Sequence, residues 1–430
     1  MLQEVGAGSL DELFSMVPPD CLCEQALDLP GPLSEWDLGE HMNQLAAKNA
    51  STPAGKIFLG AGSYHHFIPS VIPSLVSRGE FLTAYTPYQP EISQGTLQAI
   101  YEYQTLIGRL LGMEVVNASV YDGASALAEA LLMAIRITKK KKVAVSRAVN
   151  PLYRRVVKTY LGSSGFEIIE LPFSEAGQTE LDALGDRDDI AAVAVQSPNF
   201  FGCLEDLAGV RQAADQAGCL MVVTFSEVLA YGLVKTPGSM GADIVAGEGQ
   251  SLGLPQSFGG PYLGLFAARQ KYTRNMPGRL VGQTVDRNGK RGFVITLSTR
   301  EQHIRRERAT TNICSNQSIC ALTAAMFLAS LGGSGLRELA QLNYDHSQYL
   351  KAGLTEAGAK LKFSAPTFNE FVVEFGPELQ PALRKLEEQG MVVGLPLEPH
   401  YPQLKDCRLI CATETKSRQD LDYLLKGLKS

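Results

Sequence analysis

Four short stretches carry the residue types that do chemistry. The run Tyr85-Thr86-Pro87-Tyr88-Gln89-Pro90-Glu91, continuing to Gly95, places hydroxyl, amide and carboxylate groups around two prolines just ahead of a helical pattern. Proline fixes φ, so such a loop can hold its polar groups in place before a ligand arrives. It would serve equally well as a stiff lead-in to the helix. The second stretch, Tyr121-Asp122-Gly123-Ala124-Ser125-Ala126, is a small-residue turn that opens another helix. Backbone N–H groups and the positive helix end suit an anion there. Asp122 puts a carboxylate at the same end, and capping is the preferred reading.

The third stretch, Gly247-Glu248-Gly249-Gln250, is followed by Ser257-Phe258-Gly259-Gly260-Pro261. Glycines after a strand permit a tight backbone path. Neither a P-loop nor a dinucleotide fingerprint is present. The fourth stretch ends in the adjacent pair His65 and His66. No carboxylate or cysteine stands at ligand spacing from them, so they read as hydrogen-bonded loop histidines and no metal is expected.

These stretches need elements to position them. Short continuous apolar runs are expected as strands at Val143–Ser146, Phe166–Leu171, Ile190–Gln196, Leu220–Thr224, Ala242–Ala246 and Tyr262–Ala267. Runs of that kind belong to a sheet covered on both faces. Helical stretches between many of them, such as Tyr153–Leu161 and Leu204–Ala217, give a βαβ rhythm and a mostly parallel sheet. Two longer helices, Ile92–Leu111 and Ala124–Ile137, precede it.

We expect three parts. Residues 1–55 form a helical, proline-interrupted arm with a capped start at Ser34; residues 56–325 form the large domain. Residues 326–430 form a small α/β domain, with strands at Glu370–Phe375 and Arg408–Ala412. The arm is too small for its own core and should pack on the main body or on another subunit.

Composition narrows the function. The chain has 430 residues, 45% apolar and 20% charged, with a net charge of -6. That balance is an ordinary globular one, and the charge argues against a nucleic-acid partner. The run Lys139–Lys142 follows an apolar helix, where cations favour the dipole. No targeting signal and no membrane-spanning apolar run are read, so a cytoplasmic location is expected. Eight scattered cysteines suggest neither zinc nor a disulfide framework; Cys219 and Cys411 read as buried thiols.

Together, several segments resemble the P-protein family of the glycine cleavage system, most closely the α chain of its two-chain form. They are the loop Thr83–Gly95, the run Tyr121–Leu132, Val195–Gly202, Gly241–Gly264, Arg279–Glu307 and Thr310–Gln317. The resemblance runs from Asp11 to the closing helix at Leu421–Leu428.

That resemblance implies a fold-type I architecture of the enzymes that use pyridoxal phosphate (PLP). It implies a complex that decarboxylates glycine on PLP and passes the aminomethyl group to the lipoyl arm of the H-protein. In such a complex the cofactor lysine belongs to the β chain. Here no lysine occurs between Lys235 and Lys271, and Gln250 falls about where one would stand. Only Glu227 offers a carboxylate near the strand end at Leu220–Thr224.

Asp122, Gly123, Ser125, Glu227 and Gln250 are therefore expected to be vestigial cofactor positions. Tyr85, Thr86, Tyr88, Gln89, Glu91, His65 and His66 are candidates for a site shared with the partner. Two other readings stand beside this one: a PLP enzyme that uses some other lysine, and a scaffold or binding protein that keeps the fold.

Overall fold

The structure is a computed structural model, which describes all residues except 24, 26, 50–52, 186, 314, 315 and 430, and all described side chains except those of Ala54 and His303. Cys314 and Ser315, within the Thr310–Gln317 motif, thus lie outside the described residues. The chain divides into two compact units, Met1–Ser51 and Thr52–Ser430.

In the first unit, short 3-10 turns at Asp11–Phe14 and Pro19–Cys21 precede helix α1 (Glu35–Ala46). Ser34 caps α1 as expected, its Oγ accepting from the Asp37 N–H at 3.2 Å. No residue of α1 is buried.

The second unit begins with α2 (Val71–Val76), α3 (Gly79–Leu82), α4 (Gln94–Leu111) and β1 (Val115–Val116). Then follow α5 (Gly123–Thr138), β2 (Lys142–Ser146), α6 (Pro151–Gly162), β3 (Glu167–Leu171) and β4 (Ile190–Gln196). Next come α7 (Leu207–Gln216), β5 (Leu220–Phe225), β6 (Ile244–Glu248) and β7 (Gly264–Ala268). A hairpin of β8 (Leu280–Val285) and β9 (Arg291–Thr296) leads through α8 (Gln302–Arg305) to the long α9 (Ser318–Glu356). The rest is β10 (Lys360–Leu361), β11 (Glu370–Glu374), α10 (Gln380–Glu388), β12 (Leu395–Pro396), β13 (Cys407–Cys411) and α11 (Arg418–Lys429).

The main sheet has the order β1-β7-β6-β5-β4-β2-β3. From β3 to β6 the strands run parallel; at the β6 edge β7 runs antiparallel to them, and β1, antiparallel to β7, returns to their direction. Every residue of β4, β6 and β7 is buried, as a sheet covered on both faces requires. Helix α5 is apolar nearly all round because it lies within the core, with Ala126, Leu127, Ala130, Leu131 and Ala134 fully buried.

A second, four-stranded sheet has the order β10-β11-β13-β12 and its own core around Phe371, Phe375, Leu383, Ile410 and Leu424. Helix α9 joins the two cores. Its first half packs Phe327 and Leu328 into the main core, and its second half packs Leu350 and Leu354 into the other. It kinks at Gly332 (φ 62°), and residue 326, the expected domain start, lies inside it. By length and composition α9 would be able to cross a membrane, which corrects the expectation of no such apolar run. Tertiary packing explains its apolar first half. The buried thiols expected at Cys219 and Cys411 are found, each with at most 5% exposure.

The strand register sets up the site. Gln196 of β4 pairs with Thr224 of β5, and Phe225 of β5 with Gly247 of β6. Residues just past these positions therefore emerge side by side at the carboxyl edge of the parallel strands, where open α/β sheets present their ligand sites.

Candidate functional site

Beyond β5, Ser226 and Glu227 are almost wholly buried. Glu227 Oε2 accepts from His66 Nε2 at 2.9 Å and from Asn369 Nδ2 at 3.0 Å; its Oε1 accepts from the Leu229 N–H at 3.1 Å. The other nitrogen of His66, Nδ1, lies 2.8 Å from Glu414 Oε2. Glu414 also accepts from the Phe67 N–H and from Asn343 Nδ2. Burial works against a charged His66, but the Glu227 and Glu414 carboxylates overcome it and raise its pKa to about 10. His66 is thus an imidazolium that donates from both nitrogens.

A second buried carboxylate stands beside the first. Glu370 Oε1 accepts from the Ala61 N–H at 2.6 Å and its Oε2 from the Tyr64 hydroxyl at 2.7 Å. Burial raises Glu370 to about 7, with the nearby Glu227 charge adding to it. Tyr64 also lies 3.1 Å from Ser226 Oγ.

Beyond β6, Gln250 is 1% exposed, and its side-chain amide bonds to backbone groups. Its Oε1 accepts from the Tyr64 N–H at 2.9 Å; its Nε2 donates to the Tyr64 carbonyl at 3.0 Å and the Leu254 carbonyl at 2.7 Å. The amide grips Tyr64 as a neighbouring strand would. It supplies no nucleophile.

Glu248, between Gly247 and Gln250, holds the start of α5. One oxygen accepts from the Gly123 N–H at 2.9 Å. The other accepts from the N–H groups of Gly249, Gln250 and Leu263 at 3.0, 3.1 and 2.9 Å. Burial raises the Glu248 carboxyl to about 8 against the pull of these donors. The approach requires glycine at 123, where a Cβ would stand 2.4 Å from the Tyr153 hydroxyl and 2.9 Å from the Glu248 nitrogen. Asp122 is the N-cap, its Oδ1 accepting from the Ser125 N–H at 2.7 Å.

The proline-bounded loop is tied elsewhere. Arg279, just before β8, donates to Thr86 Oγ1 at 3.1 Å and to the Tyr88 hydroxyl at 2.8 Å. Pro87 is buried, while Tyr85, Tyr88, Gln89 and Glu91 face outward. Gln94, at the start of α4, bonds to the Pro90 carbonyl and to both backbone groups of Phe293. His65 is exposed, with Nδ1 3.1 Å from Thr415 Oγ1.

The family model of the glycine cleavage system P-protein matches residues 1–428. The chain belongs to the glycine cleavage system P-protein family. A relative from Desulfotalea psychrophila, named probable glycine dehydrogenase (decarboxylating) subunit 1, is 55% identical over 430 residues, covering 100% of this chain and 96% of the relative. A crystal structure of the P-protein, described as glycine decarboxylase in inhibitor-bound form, superposes with a TM-score of 0.90 at 45% identity, covering 100% of this chain and 96% of that one. A NifS-like protein shares the fold at 14% identity and a TM-score of 0.63, covering 87% of this chain and 98% of its own. The P-protein chain thus has the fold-type I architecture of PLP-dependent enzymes.

The residues at the carboxyl edge of this P-protein chain do not fit that cofactor. Of the N–H donors that open α5, that of Gly123 already holds Glu248 and that of Ser125 holds Asp122, so a phosphate there would meet both carboxyl groups. Glu227 is engaged by His66 and Asn369, and Gln250 by Tyr64 and Leu254. No step is derived through PLP at this edge.

Of the residues singled out from sequence, the structure brings His66 and Glu227 into direct contact and joins them through Tyr64 to Gln250. Asp122, Gly123 and Ser125 sit together at the α5 start. Thr86 and Tyr88 gather on Arg279, and His65 turns away from His66's carboxylates. Sequence reasoning missed Glu248, Arg279, Glu370 and Glu414. A glutamate flanked by glycines at a strand end was the one local signal for Glu248. Each of the other three meets one site partner, Tyr88, Tyr64 or His66, across 191 or more residues of chain.

Proposed function

We propose that this chain is the α subunit of a glycine dehydrogenase (decarboxylating), and that a second, β subunit carries PLP. Together they decarboxylate glycine and pass the aminomethyl group to the lipoyl arm of the H-protein, in the cytoplasm. The observation that carries the division of labour is Gln250. It stands after β6, buried, with both ends of its amide spent on the Tyr64 and Leu254 backbone. No lysine lies between residues 235 and 271.

In this reading the buried cluster of His66, Glu227, Glu370 and Glu414 is architecture. It fastens the segment Gly60–Phe67 and the strand end at β5 to the second sheet. The contribution to catalysis comes from the loop Tyr85–Glu91, where Tyr85 and Tyr88 are 83% and 52% exposed. Exposed aromatics on a braced loop suit a surface that another subunit completes. Tyr85, Thr86, Tyr88, Gln89 and Glu91 would shape the glycine and lipoyl-arm site across that interface, with exposed His65 a further candidate and His66 kept to the buried cluster. Residues 1–55 would serve as an arm that embraces the partner, beside a large domain (56–325) and a small one (326–430).

The test is reconstitution. Each chain alone should release no carbon dioxide from glycine in the presence of lipoylated H-protein, and the coexpressed pair should. Activity of this chain by itself with added PLP would overturn the assignment.

A further inference from the structure

A buried arginine is placed to govern the exposed loop. Arg279 is 9% exposed, and its guanidinium meets groups from separate segments of the chain, among them Thr86 with Tyr88, Glu301 and Asn316. Nη1 reaches Thr86 Oγ1 at 3.1 Å and Asn316 Oδ1 at 3.5 Å; Nη2 reaches the Tyr88 hydroxyl at 2.8 Å; Nε lies 3.5 Å from Glu301 Oε2. The guanidinium also stacks on the Tyr88 ring, 5.2 Å from its centre.

The base of this arginine is itself fixed. Its carbonyl accepts from the Ala118 N–H at 2.8 Å, and Asn316 Nδ2 donates to the Ala118 carbonyl at 2.7 Å. Gly278 before it has φ +72°, and a Cβ there would stand 2.8 Å from Asn117 Nδ2. The side chain therefore leaves a backbone with little freedom.

Arginine has only donors. Each hydroxyl it meets accepts through an oxygen lone pair, so the hydrogen of each hydroxyl must point away from Arg279. The Thr86 and Tyr88 hydroxyls are thereby held on one guanidinium with their hydrogens directed away from it. Two O–H donors backed by a cation suit an anionic oxygen of carboxylate or phosphate type.

We propose that Arg279 is a positioning residue of the shared site, which orients the Tyr88 and Thr86 hydroxyls toward an anionic oxygen of the substrate or cofactor. This rests on the reading of the Tyr85–Glu91 loop as part of that site. Arg279 touches neither ligand; it acts through the two hydroxyls.

The test uses the assembled two-chain complex and glycine-dependent carbon dioxide release. Arg279→Gln should lower kcat/KM for glycine by about 10-fold or more, and Tyr88→Phe by a comparable factor. Because one acts through the other, Arg279→Gln should cost at most about twofold more when added to Tyr88→Phe. A carboxylate acceptor shows as a raised KM for glycine, and a phosphate acceptor as faster loss of PLP on dialysis. Arg279→Lys keeps the charge but loses the planar fork, so it should fall between wild type and Arg279→Gln. If Arg279→Gln does not assemble, the same cycle is read with Arg279→Lys. Independent, multiplying effects of the two substitutions, or wild-type turnover in both Arg279 variants beside an impaired Tyr88→Phe, would overturn the proposal and leave the loop reading standing. Wild-type turnover in Tyr88→Phe and Thr86→Val would overturn the loop reading and this proposal with it.

Discussion

His66 and Glu227 meet at 2.9 Å with both side chains almost fully buried, and Glu414 waits 2.8 Å from the other nitrogen of the same ring. One imidazolium between two carboxylates joins the segment before α2, the end of β5 and the turn after β13. Its proton is part of the fold. Folded His66 has a pKa of about 10 against 6.5 for the free side chain. A raised pKa of this sign contributes stability that is complete below about 6.5 and is lost as pH climbs toward 10.

His66→Gln should therefore destabilise the protein by about 3–5 kcal/mol at pH 6, because it leaves two buried carboxylates without their cation. The gap to wild type should shrink steadily between pH 6.5 and 10. Urea unfolding at a series of pH values measures it. A gap that stays constant with pH would show that the wild-type ring is neutral.

Glu248 should be irreplaceable by its own amide. Four N–H groups converge on its two oxygens, and a glutamine would turn an NH₂ toward some of them. Above the Glu248 pKa of about 8, Glu248→Gln and Glu248→Ala should each cost roughly 3 kcal/mol or more, and the amide should rescue little. Hydrogen exchange at Gly123 and Leu263 should speed up in both variants. Wild-type stability in Glu248→Gln measured above the Glu248 pKa of about 8 would contradict the fully engaged carboxylate.

How much of this was readable in advance differs by element. The βαβ rhythm was legible because buried parallel strands such as β4 are unbroken apolar runs. Asp122 was legible as a cap, and Glu227 as the carboxylate next to β5, because both signals are local. The antiparallel β7 was expected as a strand but not in its direction, which no local pattern encodes. The two-residue β1 and the β8–β9 hairpin gave too little periodicity to place. The boundary at 326 fell inside α9 because one helix serves both cores and carries no local sign of it, whereas its end, read at Leu354, was legible. Glu370, Glu414 and Arg279 were invisible as site residues. Each is an ordinary charged residue until the fold delivers a partner from far along the chain.

The loop itself gives a prediction independent of Arg279. Gln89 is exposed and Pro90 braces it from behind through Gln94. Gln89→Ala should lower glycine-dependent turnover of the assembled complex by about 10-fold, with assembly and melting temperature unchanged. Lost stability with full activity per folded complex would make the loop a mere anchor for α4.

The first unit carries its own reporter. Trp36, the single tryptophan of the chain, is 77% exposed on α1, with Leu38, Met42 and Leu45 also exposed. Such an apolar helix surface is expected to dock when the β subunit binds. Tryptophan emission should shift to the blue on mixing this chain with a tryptophan-free β subunit, and deletion of residues 1–50 should weaken assembly. Emission that stays at the solvent-exposed wavelength in a stable complex would remove the arm from the interface.

The most direct measurement of the central claim is reductive trapping. The two-chain complex is loaded with PLP, reduced with borohydride, digested and mapped by mass spectrometry. The account predicts a pyridoxyl adduct on one lysine of the β subunit and no stoichiometric adduct on this chain. Stoichiometric labelling of a single lysine in this chain would contradict it.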